Sequence, residues 1–365
     1  MTARIVLLGA TGYTGGLVLE ALLRRGLAPV LAGRDRDALA ALAHPAGLDH
    51  AHADATDERS VTKLCAPGDI LVTTVGPFER FGYSIARAAA QAGAHYIDST
   101  GEVGFVRNLQ QLLHNGAVQA NTVMLPAFGY DYVPGILAGT LAAQQAGATA
   151  RTVDIGYFAT GPLWRGLSQG TRTTMRDGLS LPSTRWHNRS LVDVRTASHV
   201  QSFNVRGHRK NAFLVSGTEV LYLPKQFPAL DNVTVYNGWF PKLSRAANAL
   251  SALAAVASRT QFGDTLVETL TRPIIGPPGG PDIAERDRTR THVVAVATDH
   301  NGPRAEIHLE GPSIYNLTGE LIAWAADQIA AGRHRASGII GPVQAFGLDA
   351  LQSGCNAIGL TATHR

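Results

Sequence analysis

Short, continuously apolar runs separated by helix-length stretches open the chain. The runs are Arg4–Leu8, Pro29–Ala32, Ile70–Val75, His95–Ile97 and Thr122–Leu125, each closed by Gly, Arg, Asp or Pro. Between them the spacing predicts helices at about 14–25, 36–43, 83–92 and 104–114. Strands apolar on both faces, alternating with such helices, predict a parallel sheet covered on both sides. This is an α/β architecture, a Rossmann-type doubly wound domain.

From about residue 150 the pattern changes to longer runs that alternate apolar and polar: Thr152–Phe158, His199–Arg206, Glu219–Leu223 and Val233–Trp239. Two more, His292–Asp299 and Arg304–Glu310, flank Asn301-Gly302, the dipeptide of a tight hairpin. The second half therefore reads as an α+β domain with a mainly antiparallel sheet. Gly276-Pro277-Pro278-Gly279-Gly280-Pro281, followed by Asp287-Arg288-Thr289-Arg290, predicts an exposed loop within it. Helices are expected at 313–332 and from Gly338 to Gly359. The resulting division is a first domain over 1–148 and a substrate and dimerisation domain over 149–332, with 333–365 returning to the first. No internal repeat is visible.

Composition narrows the class. The 365 residues are 45% apolar with only two cysteines, which excludes disorder and a disulfide scaffold. Cys65 and Cys355 have no partner at metal-ligand spacing, and buried thiols are expected. The run Leu250–Ala257 is too short to span a bilayer. Only three residues precede Arg4, so a cytoplasmic protein without a leader is expected. Ten basic face twelve acidic residues in 1–150, and twenty-two face sixteen in 151–365. This diffuse excess lacks the clustering of a nucleic-acid footprint. It fits an anionic substrate, an acidic carrier protein or a solvated basic face. Arg-rich, Lys-poor usage, with four lysines, suggests a bacterial source.

The sharpest motif is Gly9-Ala10-Thr11-Gly12-Tyr13-Thr14-Gly15, directly after the first strand and opening a helix. Gly9 permits the turn, Gly12 lets backbone approach a pyrophosphate, and Gly15 brings helix and strand together, with phosphates on the helix N-terminus. The second strand runs into Gly33-Arg34, where an NAD site would place a carboxylate. Arginine pairs with a 2′-phosphate that a carboxylate would repel, so NADP is the expected cofactor. Asp54 reads either as a ligand of the adenine amine or as a surface carboxylate. Gly76-Pro77-Phe78 ends the fourth strand, where such a turn faces the ligand crevice.

Hydride transfer also needs a proton source. Glu102, in the loop Tyr96–Glu102, and Tyr130 and Asp131, in the loop Pro126–Gly135, are the acid/base candidates. Asp98, Ser99 and Asp131 read equally as helix caps. No Tyr has a Lys four residues on, which removes short-chain dehydrogenase chemistry, and no hydrolase, kinase or metal motif occurs. A metal is not expected.

These motifs, together with Ser168-Gln-Gly-Thr171, Glu310-Gly-Pro-Ser-Ile-Tyr-Asn-Leu-Thr318 and Gly338-Ile-Ile-Gly-Pro342, resemble the saccharopine dehydrogenase-like oxidoreductases, including bacterial trans-acting enoyl reductases. The resemblance spans nearly the whole chain. It implies an NADP-dependent oxidoreductase reducing a C=C, C=O or C=N bond of a small-molecule or acyl substrate, free or carrier-bound. It also implies pocket positions at Gly76, Pro77 and Glu102. Trp164-Arg165 and Trp186-His187-Asn188-Arg189 depart from the pattern, and Arg165, Arg172 and Arg176 are the compact arginine cluster on which an amino-acid substrate would depend. The alternatives are a non-catalytic NADP-binding regulator or partner subunit, and a homodimer stays open. Neither a nucleic-acid partner nor a membrane span is expected.

Overall fold

A computed structural model describes residues 3–161, 167–172, 181–257 and 279–363. Trp164, Arg165, Arg176 and Gly276–Pro278 lie outside the described residues. The chain forms two units. One is Met1–Val133 with Ile314–Ile358, and the other is Pro134–Ser313 with Gly359–Arg365.

Strands and helices are numbered in chain order through both units. In the first unit, β1 (Ile5–Leu8), β2 (Val30–Gly33), β3 (His50–His52), β4 (Ile70–Thr73), β5 (His95–Asp98), β6 (Val123–Leu125) and β15 (Gly338–Ile339) form one sheet. Their order is β15-β6-β5-β4-β1-β2-β3 and every pairing is parallel. Ile5–Leu8 and Ile70–Thr73 are buried along their whole length. That follows from helices on both faces: α1 (Tyr13–Arg24), α2 (Arg36–Ala43), α3 (Glu58–Thr62), α4 (Phe78–Ala92) and α5 (Val103–Gln119) connect the strands. The order β3-β2-β1-β4-β5-β6 reverses direction between β1 and β4, so the crevice outside their carboxyl ends lies beside the glycine loop.

The helix Ile314–Ala330 belongs to this first unit, although the division read from the sequence puts it in the second. It is held on α1 by Glu320, whose carboxylate takes Arg24 at 2.6 Å and Arg25 at 2.5 Å. Gly319 lies so close to Leu17 that an added Cβ would stand 2.9 Å from its carbonyl oxygen. The region expected as one helix from Gly338 to Gly359 is instead β15 and two helices, Pro342–Phe346 and Leu348–Ala357. Positive φ at Gly338 (104°) and Gly347 (80°) breaks it.

The second unit begins at Pro134, within the helix Val133–Ala146, and builds a mixed sheet that has nine strands among the described residues. These are β7 (Thr152–Thr160), β8 (Pro182–His187), β9 (Ser190–Arg195), β10 (Val200–Val205), β11 (His208–Val215), β12 (Asn232–Asn237), β13 (Arg290–Asp299), β14 (Gly302–Gly311) and β16 (Thr361–Thr363). The main path is β10-β11-β12-β7-β13-β14-β16, with β8 on β12 and β9. Among these described strands only β7 and β12 pair in parallel. The Asn301-Gly302 turn joins β13 to β14 as the alternation predicts. Phe158, Phe203, Val205, Leu214, Tyr236 and Val294 form a core on one face.

One run is not a strand. Glu219–Gln226 is helical, with Val220, Leu221, Tyr222 and Leu223 all buried. A short run of consecutive apolar residues satisfies either period, and here burial on all sides decided it. Cys355 is buried, whereas Cys65 is only partly so, and burial pushes the Cys65 thiol up to about 11.

Candidate cofactor site and neighbouring acids

Three close approaches make the loop Gly9–Gly15 a cradle. Gly9 sits at φ 91°, and a Cβ there would lie 2.8 Å from Thr74 Oγ1 and 2.9 Å from a Val75 methyl. A Cβ on Gly15 would overlap the Gly9 carbonyl oxygen, and one on Gly12 would lie 3.3 Å from it. The Gly12 N–H donates to that carbonyl at 3.0 Å, and Thr74 Oγ1 donates to it at 3.3 Å. The loop is thus closed by its own backbone, with Thr11 and Gly12 exposed and the N-terminus of α1 open beyond them. Thr14 is half-buried, and Tyr13 packs edge-on against Tyr315 with centroids 5.2 Å apart.

At the end of β2, Gly33 is buried and Arg34 is exposed. The acid next in the chain, Asp35, is committed elsewhere: its Oδ1 accepts the Ala38 N–H at 3.0 Å and caps α2. The ionised side chain that Gly33-Arg34 presents is therefore a guanidinium. Asp54 accepts the Thr56 N–H at 2.9 Å and the Thr56 hydroxyl at 2.8 Å. Those bonds, and then the charge of Arg34, hold its carboxyl below the usual range. Its observed task is the turn after β3.

Gly76 and Pro77 are exposed at the end of β4, with a cis peptide between them. Phe78 is 5% exposed, and its ring packs on Phe105 and against Gly76, where an added Cβ would stand 3.5 Å from it. Glu102, an acid/base candidate from its position, has a structural task. Its two carboxylate oxygens accept the N–H groups of Phe78 at 2.9 Å and Glu79 at 2.7 Å, capping α4.

The loops after β5 and β6 are stitched together. Asp98 is fully buried and its Oδ1 accepts the N–H of Thr100 at 2.9 Å and of Ala127 at 2.8 Å. The Tyr132 hydroxyl donates to the Gly101 carbonyl at 2.6 Å. Tyr130 is 2% exposed, and its N–H donates to Thr318 Oγ1 at 3.2 Å. Asp131 follows in the same loop, largely enclosed by protein, and desolvation pushes its carboxyl up to about 6. Burial also raises Asp98 to about 6, against the two N–H groups it accepts. Sequence reading gave Thr74 no role and quoted Thr318 only within a motif, because each acts on a loop 65 or 188 residues away.

Among the described residues no cluster of His, Cys, Asp or Glu could hold a metal ion, and no helix is long and apolar enough to cross a membrane.

Residues 5–150 match the family described as the saccharopine dehydrogenase NADP binding domain. A trans-acting enoyl reductase of Mycobacterium tuberculosis is 36% identical over 140 residues, covering 36% of this chain and 34% of that protein. A second M. tuberculosis protein, provisionally described by the same activity, is 26% identical over 98% of this chain and 96% of its own length. A "lipid droplet localized protein" of Caenorhabditis elegans is 28% identical over 49% of this chain, so the matched stretch spans 46% of that relative. In fold, the chain is similar to a saccharopine dehydrogenase (L-Glu forming) from Saccharomyces cerevisiae, with a TM-score of 0.63 and 13% identity over the full length of both.

Proposed function

Because residues 5–150 are a saccharopine dehydrogenase-type NADP-binding domain, we propose that the protein is an NADPH-dependent reductase acting on a polarised double bond of an acyl or other small-molecule substrate. The observation that carries this is the shared edge. The sheet is parallel, so the glycine loop after β1, Gly76-Pro77 after β4 and Asp131 after β6 all lie beyond its carboxyl ends. A phosphate cradle and a poised acid on one edge are the two parts a reductase needs.

The residues fit the dinucleotide. Gly9, Gly12 and Gly15 leave the room that side chains would fill, and the α1 N-terminus meets the pyrophosphate. Arg34 pairs with the 2′-phosphate, while Asp35 is turned to its cap and Asp54 to the turn after β3. Gly76 and Pro77 bound the nicotinamide side. When bound, NADPH supplies a hydride from its nicotinamide ring. Asp131, protonated below about pH 6, gives the proton to the other end of the reduced bond. Glu102 is excluded from that task by its cap, and Tyr130 by its burial in the core.

The relatives described as enoyl reductases favour a conjugated C=C in an acyl substrate, free or on a carrier, over C=O or C=N. NADPH oxidation would be followed with 2-enoyl thioesters, ketones and imines, using NADPH deuterated at the transferring position. The expected result is deuterium at the β-carbon of the enoyl product, with a rate that falls as pH rises through about 6. Asp131→Asn should lose about 10²–10⁴ of that rate while binding NADPH normally. Binding of NADPH without turnover on any of the three panels would leave a non-catalytic NADP-binding protein.

A further inference from the structure

A second group of polar residues, all in the unit that lacks the glycine loop, converges on a cavity of about 250 Å³. Register assembles most of it. His292 on β13 pairs with Glu310 on β14, and two residues along, on the same face, His308 pairs with Val294 and with Thr363 on β16. The turn after β10 supplies Arg206 beside Val205 of the core. Arg206 has φ 53°, an uncommon conformation for a long side chain, and is exposed.

The groups approach without satisfying one another. Glu310 Oε1 stands 4.0 Å from Arg206 Nη1 and Glu310 Oε2 stands 3.7 Å from His292 Nδ1, both too long for hydrogen bonds. His292, 3% exposed, has its other nitrogen 3.4 Å from Thr160 Oγ1. His308 Nε2 bonds Glu306 at 2.8 Å. Two carboxylates, Glu310 beside His292 and Glu306 on His308, stand among these cationic groups. Burial lowers the His292 pKa, and Lys210, Arg206 and His308 lower it further against Glu310 alone. A pocket lined by Arg206, His292 and His308 beside the Glu310 carboxylate suits an anion that also carries a hydroxyl donor.

We propose that this cavity binds a protonated oxyanion, with hydrogen phosphate as its simplest form. Arg206 supplies the charge, His292 and His308 line the pocket, and Glu310 accepts the P–OH. This assignment implies discrimination. Sulfate has the same shape but no proton at neutral pH, so it leaves Glu310 facing an unprotonated oxygen, a repulsive contact.

The test is equilibrium dialysis of the full chain with radiolabelled inorganic phosphate at pH 7.5, in competition with sulfate. Phosphate should bind at least about tenfold tighter than sulfate, a difference of about 1.4 kcal/mol. Arg206→Gly, which also relieves the positive φ and so should not impair folding, should weaken phosphate binding at least about tenfold. Glu310→Gln should bring sulfate to within about threefold of phosphate. Saturating NADPH should change neither, because it fills the cofactor's own phosphate sites and leaves this cavity open. Equal binding of the two anions, no phosphate binding at about 10 mM, or binding unchanged in both cavity variants would overturn the proposal.

Discussion

The carboxylate of Asp98 accepts the N–H of Ala127 at 2.8 Å, and Ala127 is held at φ 59°. That bond ties the end of β5 to the loop carrying Tyr130 and Asp131. The Asp98 carbonyl takes the next N–H, from Phe128, also at 2.8 Å. A fully buried acid is therefore the fastening of the loop that the proposed reaction uses.

Asp98→Ala should destabilise the protein by about 2–4 kcal/mol, because the N–H groups of Thr100 and Ala127 would lose their acceptor inside the protein. Asp98→Asn keeps that acceptor and should cost less than about 1 kcal/mol. The folded pKa of Asp98, about 6, lies above its unfolded value of about 3.9. Its contribution is thus fully present below about pH 4 and lost as pH rises through about 6. The asparagine variant carries no charge at this position, so urea unfolding should find it gaining on the wild type over that window. A gap between the two that does not change with pH would contradict this account.

Arg34→Ala should remove the preference for NADPH over NADH. The side chain is exposed and makes no ion pair among the described contacts, so the change should leave folding intact and act on the 2′-phosphate alone. Tryptophan-fluorescence titration should show NADPH at least about tenfold tighter than NADH in the wild type, about 1.4 kcal/mol, with the two within about threefold in the variant. Equal loss of both cofactors would mean that Arg34 supports the loop and does not read the phosphate.

Gly15→Ala should abolish cofactor binding and lower stability. Its Cβ would overlap the Gly9 carbonyl oxygen, and that oxygen is held in place by the Gly12 N–H. Relief requires opening the loop, at a cost of about 1–3 kcal/mol. Gly16→Ala is the matched control, since nothing lies within 4 Å of a Cβ there. Thermal unfolding with and without NADPH distinguishes them: the Gly16 variant should retain its cofactor-induced shift.

His95 should make the protein acid-sensitive in a defined window. Its Nδ1 accepts the Val123 N–H at 3.0 Å and its ring lies 5.3 Å from that of His334. Burial, and then His334, lower its pKa to about 4, below the unfolded value of about 6.5. Between those values the unfolded chain holds a proton that the folded chain refuses, so stability falls as pH falls. The buried Asp98 and the partly buried Asp131 and Asp154, each raised to about 6, pull the opposite way. The readout is therefore the difference from His95→Asn, which keeps an acceptor. That difference should turn against the wild type from about pH 6.5 down to about pH 4, and a difference flat in pH would refute it.

Period and local chemistry determined much of this protein. Continuous apolar runs specified strands buried on two faces, and Asn301-Gly302 specified its hairpin, because both are set by residues adjacent in the chain. The tight turn at Gly9–Gly15 and the strand end Gly33-Arg34 without a carboxylate were readable for the same reason: glycine freedom and a missing carboxylate are properties of single positions. The tertiary structure alone decided the rest. Glu102 looked like a free acid until the end of α4 came within 2.9 Å of it, and Asp98 became a fastening because β5 and β6 lie side by side. Glu219–Leu223 became a helix and Ile314–Ala330 joined the first unit through packing. His292, Glu310 and Thr363 met only when β13, β14 and β16 came into register, and Arg206 joined them from the turn after β10. What a side chain can do is written in its type, but whether it is free to do it depends on partners that distant segments bring.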